Sequence, residues 1–280
     1  VSSYLLAVVV ALFSWWFSTG VILMLNHLPR STYSRSFMAA TLVLLGSLAC
    51  LPATAQDIST TGAVTGFVLA LLIWGWLEMG YLMGIVTGPR GAPCPSGAST
   101  QERFVLAVAT SLYHELAVVL LAGCVLALTW QAPNQVATAT FVTLWLMRWS
   151  AKLNLFLGVR NYNGHWLPVH LRYLDSYIRR RRMNALFPIS VLLGVAATAG
   201  FYHGALTSGT EFSAVGNTLV GSLVALAVLE HAFLMLPLGD AALWRWALPG
   251  SGDKQERFPT GRAGGGGGTA GDGVPAQPQL

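Results

Sequence analysis

Apolar residues run along this chain in blocks of roughly 20, the length an α-helix needs to cross the hydrocarbon core of a bilayer. Seven such segments are predicted as helices, near 4–26, 37–52, 63–86, 104–130, 138–157, 185–207 and 215–238. The second is the shortest. Breakers separate them: Pro29, Pro52, Gly88-Pro89, Pro133, Gly158, Ser208-Gly209 and Pro237. No basic stretch precedes the first run and no Ala-x-Ala site follows it within signal-peptide distance, so it reads as a retained helix rather than a cleaved signal. The expected fold is all-α, a polytopic membrane helix bundle over residues 1–249.

Two stretches fall outside the seven. Residues 167–182 (LPVHLRYLDSYIRRRR) set Leu167, Leu171, Leu174 and Ile178 on one helical face, with Arg172 and Arg179, Arg180, Arg181 and Arg182 elsewhere. This predicts an amphipathic helix on the membrane surface, its arginines attracted to anionic headgroups. For the arginine run alone, a plain topological stop signal serves equally well. The tail over 250–280 holds Gly264–Gly268 and little that is apolar, which predicts disorder.

Composition agrees with a bilayer as solvent. Hydrophobic residues make up 54% of the chain and charged residues 10%, where a soluble domain carries about a quarter charged. The charges that remain also fix a direction. Of the 16 Lys and Arg, Arg148 and Lys152 lie inside the fifth segment. The other fourteen lie in the first, third and fifth loops or after the last helix, and the second, fourth and sixth loops have none. By the positive-inside rule the N-terminus is periplasmic and the C-terminus cytoplasmic. The lipid bilayer is the first partner implied, and no nucleic-acid partner is expected.

Ionisable groups inside membrane helices are expensive and mark function by default. Seven lie there: Glu78, His114, Glu115, Arg148, Lys152, Glu230 and His231. Counted along their helices at 1.5 Å per residue, all fall within roughly 8–16 Å of the cytoplasmic boundary. Four helices thus put charge into one slab. Arg148 and Lys152, four apart, share a face and can together meet two carboxylates. Three readings are open. The residues form an ion-pair network between helices. Or Glu78, His114, Glu115, Glu230 and His231 hold a metal or a tetrapyrrole, although the Glu-x-x-His spacing of di-iron bundles is missing. Or they line a proton or ion pathway.

Other reactive residue types carry less. Cys50, Cys94 and Cys124 show no metal or disulfide spacing and read as small apolar residues. His27, His165, His170 and His203 sit in loops or at helix ends, as solvated or capping groups. Trp130, Trp166, Trp244 and Trp246 suit an interfacial belt. Trp74, Trp76, Trp145 and Trp149 lie nearer the charged slab, where packing between helices is the plainer role.

Longer motifs carry a resemblance. WFSTG (16–20), WGWLEMGYLMGIVTGPR (74–90), ERF (102–104), YHEL (113–116), LWLMRWSAKLNLFLGVRN (144–161), HLRYLDSY (170–177), MNALFPIS (183–190) and LEHAF (229–233) resemble the photosynthetic complex assembly family PuhE, over about residues 15–246. The resemblance implies an inner-membrane protein of phototrophic bacteria, whose partners are reaction-centre or core-antenna subunits or other assembly factors. It implies a biogenesis factor that handles bacteriochlorophyll or a precursor, or modulates its synthesis. The alternative is a membrane metalloenzyme of bacteriochlorophyll synthesis with iron as cofactor. It carries no catalytic residues over to this chain.

Overall fold

A computed structural model describes residues 3–162 and 167–235. The expected disordered tail, His165, Trp166, Pro237, Trp244 and Trp246 lie outside the described residues. Among the described residues eight α-helices follow one another: α1 Ser3–His27, α2 Tyr33–Gln56, α3 Thr60–Leu82, α4 Thr100–Ala109, α5 Leu112–Leu128, α6 Val136–Leu157, α7 Leu186–Leu206 and α8 Glu211–Met235. Among the described residues there is no strand, only an isolated bridge between Val159 and Arg180.

Five helices (α1, α2, α3, α7 and α8) are long and apolar enough to cross a membrane, and α4 with α5, bent by 61°, pass the same test only as a pair, with the geometry of a broken span or a re-entrant loop. The 22 residues of α6 include Arg148, Lys152 and Asn154 and are less apolar, yet α6 runs the length of the bundle. Near its start, Asn134 donates to the carbonyls of Thr54 and Asp57 at the far end of α2. At its end, the Phe156 carbonyl accepts from Arg103 of α4. The loops sort the same way. His170 reaches Leu82 and Arg90 reaches Tyr177 at one end, while Ser3 donates to Glu211 at the other. We propose seven crossings on this geometry. Reporter fusions at residues 57 and 211 are expected to read periplasm, and those at 95, 165 and 260 cytoplasm; a cytoplasmic signal at 211 would refute the arrangement.

Burial separates an inner pair of helices from a lipid-facing set. In the most apolar windows, 67% of α8 and 50% of α3 is buried, against 11–17% of α1, α2 and α7. Apolarity alone cannot draw this line, because lipid is as apolar as leucine. Small residues draw it by letting backbones approach. Thus α3 buries Gly62, Ala63, Gly66 and Ala70, and α8 buries Ala214, Gly216, Gly221 and Ser222. Two apolar clusters meet across α3. One joins Leu51 of α2, Ile73 and Leu77 of α3, Val118 and Val125 of α5 and Phe141 of α6. The other joins Ala7 and Ala11 of α1, Phe67 and Leu71 of α3 and Leu219 and Leu223 of α8.

Three local expectations are corrected. Pro52 does not end α2, which continues to Gln56; its ring costs the helix one backbone bond, to the carbonyl one turn back, a loss that membrane helices tolerate. The segment expected as one helix over 104–130 is broken at Thr110-Ser111 by the loop after α3. There the His114 N–H donates to the Thr87 carbonyl (2.9 Å) and the Arg90 N–H to that of Ala109 (3.3 Å). Gly88 lies so close that a Cβ would collide with the Ala109 carbonyl.

The stretch 167–182 forms a nine-residue 3-10 helix, Val169–Tyr177, not an α-helix reaching the arginine run. With three residues per turn, Leu171, Leu174 and Tyr177 align, and Leu171 and Tyr177 are buried. Beyond it the chain runs extended, with Val159 donating to Arg179 and Arg181 donating back to Val159. Arg172, Arg180, Arg181 and Arg182 remain exposed, and Arg179 donates to Thr100. His170 caps α3 at the Leu82 carbonyl (3.0 Å). Burial and the nearby Arg30 guanidinium hold its imidazole below the usual range, so it caps as the neutral ring.

Candidate functional site

The polar slab is organised by one stretch of α6. Arg148 and Lys152, one turn apart, look toward different helices. Arg148 Nη1 meets Glu78 Oε2 of α3 at 2.8 Å, and Lys152 Nζ pairs with Glu115 of α5. Glu115 also accepts from Trp149 Nε1 at 2.9 Å. On the opposite side, the Ser150 hydroxyl meets His231 Nε2 of α8 at 2.8 Å. One turn on, Asn154, fully buried, donates to the Ser150 carbonyl and to Ser190 of α7. Four helices are therefore tied to residues 148–154 of α6. In a bilayer core, where no water competes, such contacts specify which helix sits beside which.

Two of the three glutamates are neutralised in this way. Glu230 is not. It stands exposed on α8 and accepts from Trp15 Nε1 of α1 at 3.0 Å, and among the described residues no lysine or arginine pairs with it. Glu230, Glu78 and Arg148 line one cleft of about 280 Å³ between α1, α3, α6 and α8. Its apolar walls come from Leu71, Trp74, Leu144, Met147 and Leu223, and Ser18 and Thr19 add hydroxyls.

The two buried histidines differ. The Nδ1 atom of His231 faces the Ala227 carbonyl at 2.7 Å, so it carries the proton, and Nε2 accepts from Ser150. Both nitrogens are engaged. His114 is completely enclosed; its ring approaches the Leu77 carbonyl of α3, but neither nitrogen makes a hydrogen bond of normal geometry. Its ring lies against Tyr81, centroids 4.9 Å apart. It sits just past the break between α4 and α5, where its own backbone N–H is held by Thr87.

The seven residues thus share a slab without sharing a centre. Among the described residues no three histidines, cysteines or acids converge to hold a metal. The physical reason is competition. Arg148 holds Glu78, Lys152 holds Glu115, Ser150 and a backbone carbonyl hold His231, and Trp15 holds Glu230. Among the described residues, the expected metal set of Glu78, His114, Glu115, Glu230 and His231 is not brought together at one point. The tryptophans nearby mostly pack: Trp74 edges onto Phe141 at 5.4 Å, and Trp76 stacks on Phe37 while donating to Thr41.

Several residues of this arrangement lie outside the ionisable set. Asn154 is the clearest, a buried amide in the same turn as the charges. Asn184 is another: it donates to the Gly158 carbonyl at 2.8 Å and accepts from the Phe187 N–H, joining α6 to the start of α7. Arg103, counted as a loop charge, is buried. It donates to the carbonyls of Tyr177 and Phe156 and lies over the Phe156 ring at 4.0 Å. A polar amide inside an apolar segment was a readable signal for Asn154. Nothing local marked Arg103.

No solved structure matches this chain. It is similar to a Rhodobacter capsulatus protein described as an uncharacterized 30.4 kDa protein in the puhA 5′ region, with 39% identity over 255 residues, covering 90% of this chain and 93% of that one. Residues 1–255 match the family described as protein of unknown function (DUF3623), and the chain belongs to that family.

Proposed function

We propose that this protein is an inner-membrane biogenesis factor for the bacterial photosynthetic reaction centre and its core antenna, of the PuhE type. The observation that carries the reading is the relative named for its place beside puhA, similar along almost the whole chain. The motifs shared with the assembly family run through the same helices that build the slab. A scaffold that presents or orders subunits needs helices in fixed relative positions, and the contacts of residues 148–154 on α6 supply that.

The way pigment enters this role is narrowed by the cleft. At about 280 Å³ it lies at the small end of the roughly 300–1,000 Å³ of typical small-molecule pockets, tight for a whole chlorin macrocycle. Among the described residues no imidazole lines it to ligate a chlorin magnesium; His231 is occupied and His114 lies elsewhere. Handling of bacteriochlorophyll, or control of its synthesis, is therefore proposed to act through the pigment-protein subunits rather than by burying free pigment here.

Deleting the gene is the direct test. Near-infrared spectra of membranes are expected to show reaction-centre and core-antenna absorbance greatly reduced, or bacteriochlorophyll content altered, with aerobic respiratory growth unchanged. Normal spectra beside a general growth defect would refute the assignment.

A further inference from the structure

Charge accounting across the cleft leaves one group over. Glu78 and Arg148, at 2.8 Å, cancel. Glu230 contributes a second carboxylate to the same lining, stabilised among the described residues by one indole N–H. A carboxylate within an apolar bundle is costly unless it is paired. Here its exposed face looks onto a space walled by Leu71, Trp74, Leu144, Met147 and Leu223. The group that completes such a site is a single cation carried on an apolar body.

We infer that the cleft between α1, α3, α6 and α8 binds an amphiphile with an ammonium head, Glu230 receiving the ammonium and the apolar walls receiving the first part of the chain. The volume suits a head and upper chain rather than a whole lipid. The Ser18 and Thr19 hydroxyls of α1 line the same space and offer the ammonium, which has three N–H donors, further acceptors. Two sources present this chemistry, a free long-chain amine and an ethanolamine phospholipid. The second also brings a phosphate, toward which Arg148, 28% exposed at its side chain and already paired with Glu78, is the cation in the lining. The inference stands on the cleft alone and does not depend on the photosynthetic assignment.

The test uses the full-length protein in phosphatidylcholine nanodiscs and photoactivatable alkyl-diazirine probes that differ only in their heads: ammonium, hydroxyl, carboxylate and phosphoethanolamine. Labelled peptides are mapped by mass spectrometry. The ammonium probe is expected to label α1 and α8 residues of the cleft about tenfold or more over the carboxylate probe, the worth of a hydrogen bond to a charged group. Glu230→Gln is expected to reduce ammonium labelling to the carboxylate level. Strong phosphoethanolamine labelling points to the phospholipid as source, and weak labelling beside strong ammonium labelling to the free amine. Equal labelling by ammonium and carboxylate heads overturns the inference, as does ammonium labelling that survives Glu230→Gln. The comparison of heads on the unaltered protein decides the matter even if that variant does not fold. Failure here leaves the deletion phenotype, and so the biogenesis reading, untouched.

Discussion

Arg148→Met is expected to strip most of the protein from the membrane, and Glu78→Leu to do the same. Each change leaves its former partner as a lone charge inside the bundle. The Glu78 side chain is 14% exposed, and its second oxygen, Oε1, already lacks a hydrogen bond, so nothing nearby takes over once the guanidinium is gone. Breaking a buried pair from one side costs about 3–5 kcal/mol, against a total of about 5–15 kcal/mol for a typical domain. The double variant, which strands nothing, should recover much of the loss, because a buried pair contributes little net stability over an apolar replacement. Lys152→Met should be milder. Its partner Glu115 keeps the Trp149 indole at 2.9 Å, one charged hydrogen bond retained. Membrane immunoblots of the four variants, with thermal melts of the purified proteins, rank them. Wild-type abundance in both Arg148→Met and Glu78→Leu would show that the pair does not hold α3 to α6.

The ranking could not have been read from the sequence, although the slab could. Depth along a helix follows from counting residues between loop boundaries, and the basic loops fix those boundaries. Direction around the helix axis does not follow, because an apolar helix in lipid has no polar face to orient it. In α3 and α5 nearly every side chain is apolar, so nothing near Glu78 or Glu115 says which cation it meets. The metal reading stayed open for the same reason. Five ligand-type residues at one depth look like a site until their partners are known, and each partner lies on another helix.

Two further elements were hidden for different reasons. The break at Thr110-Ser111 carries no proline or glycine. Its cause is Gly88, more than twenty residues upstream, whose bare backbone lets the loop press against the Ala109 carbonyl. Tertiary contact, not local propensity, ends α4. The stretch at 167–182 misled by its period. Leu171, Leu174 and Ile178 fit an α-helical face, but Leu171, Leu174 and Tyr177 fit a three-residue repeat as well. The second pattern prevails because Tyr177 is needed inward. Its hydroxyl donates to the Ala92 carbonyl and accepts from Arg90, while its carbonyl accepts from Arg103.

His114 gives the sharpest separation between packing and function. A buried imidazole whose nitrogens make no hydrogen bond of normal geometry, only an approach to the Leu77 carbonyl, costs up to about 1–3 kcal/mol relative to a side chain with no polar atoms to satisfy. His114→Phe removes that cost, keeps an aromatic ring against Tyr81, and strands no charge, since its neighbours Lys152 and Arg148 retain their own carboxylates. The variant is therefore expected at wild-type abundance or above, with a raised melting temperature. His231→Ala is the contrast. It takes away the bonds to Ser150 and to the Ala227 carbonyl, unpairs a hydroxyl between α6 and α8, and should lower stability by about 1–3 kcal/mol. We propose that an imidazole kept at the bend between α4 and α5, whose nitrogens tie no helix by a hydrogen bond of normal geometry, serves the assembly reaction. With His114→Phe the core-complex absorbance of the membranes is accordingly expected to fall while the protein itself persists. An immunoblot beside a near-infrared spectrum reads both quantities from one preparation. Full absorbance in a stabilised His114→Phe variant would reduce His114 to a packing residue and leave the pairs on α6 as the slab's whole purpose.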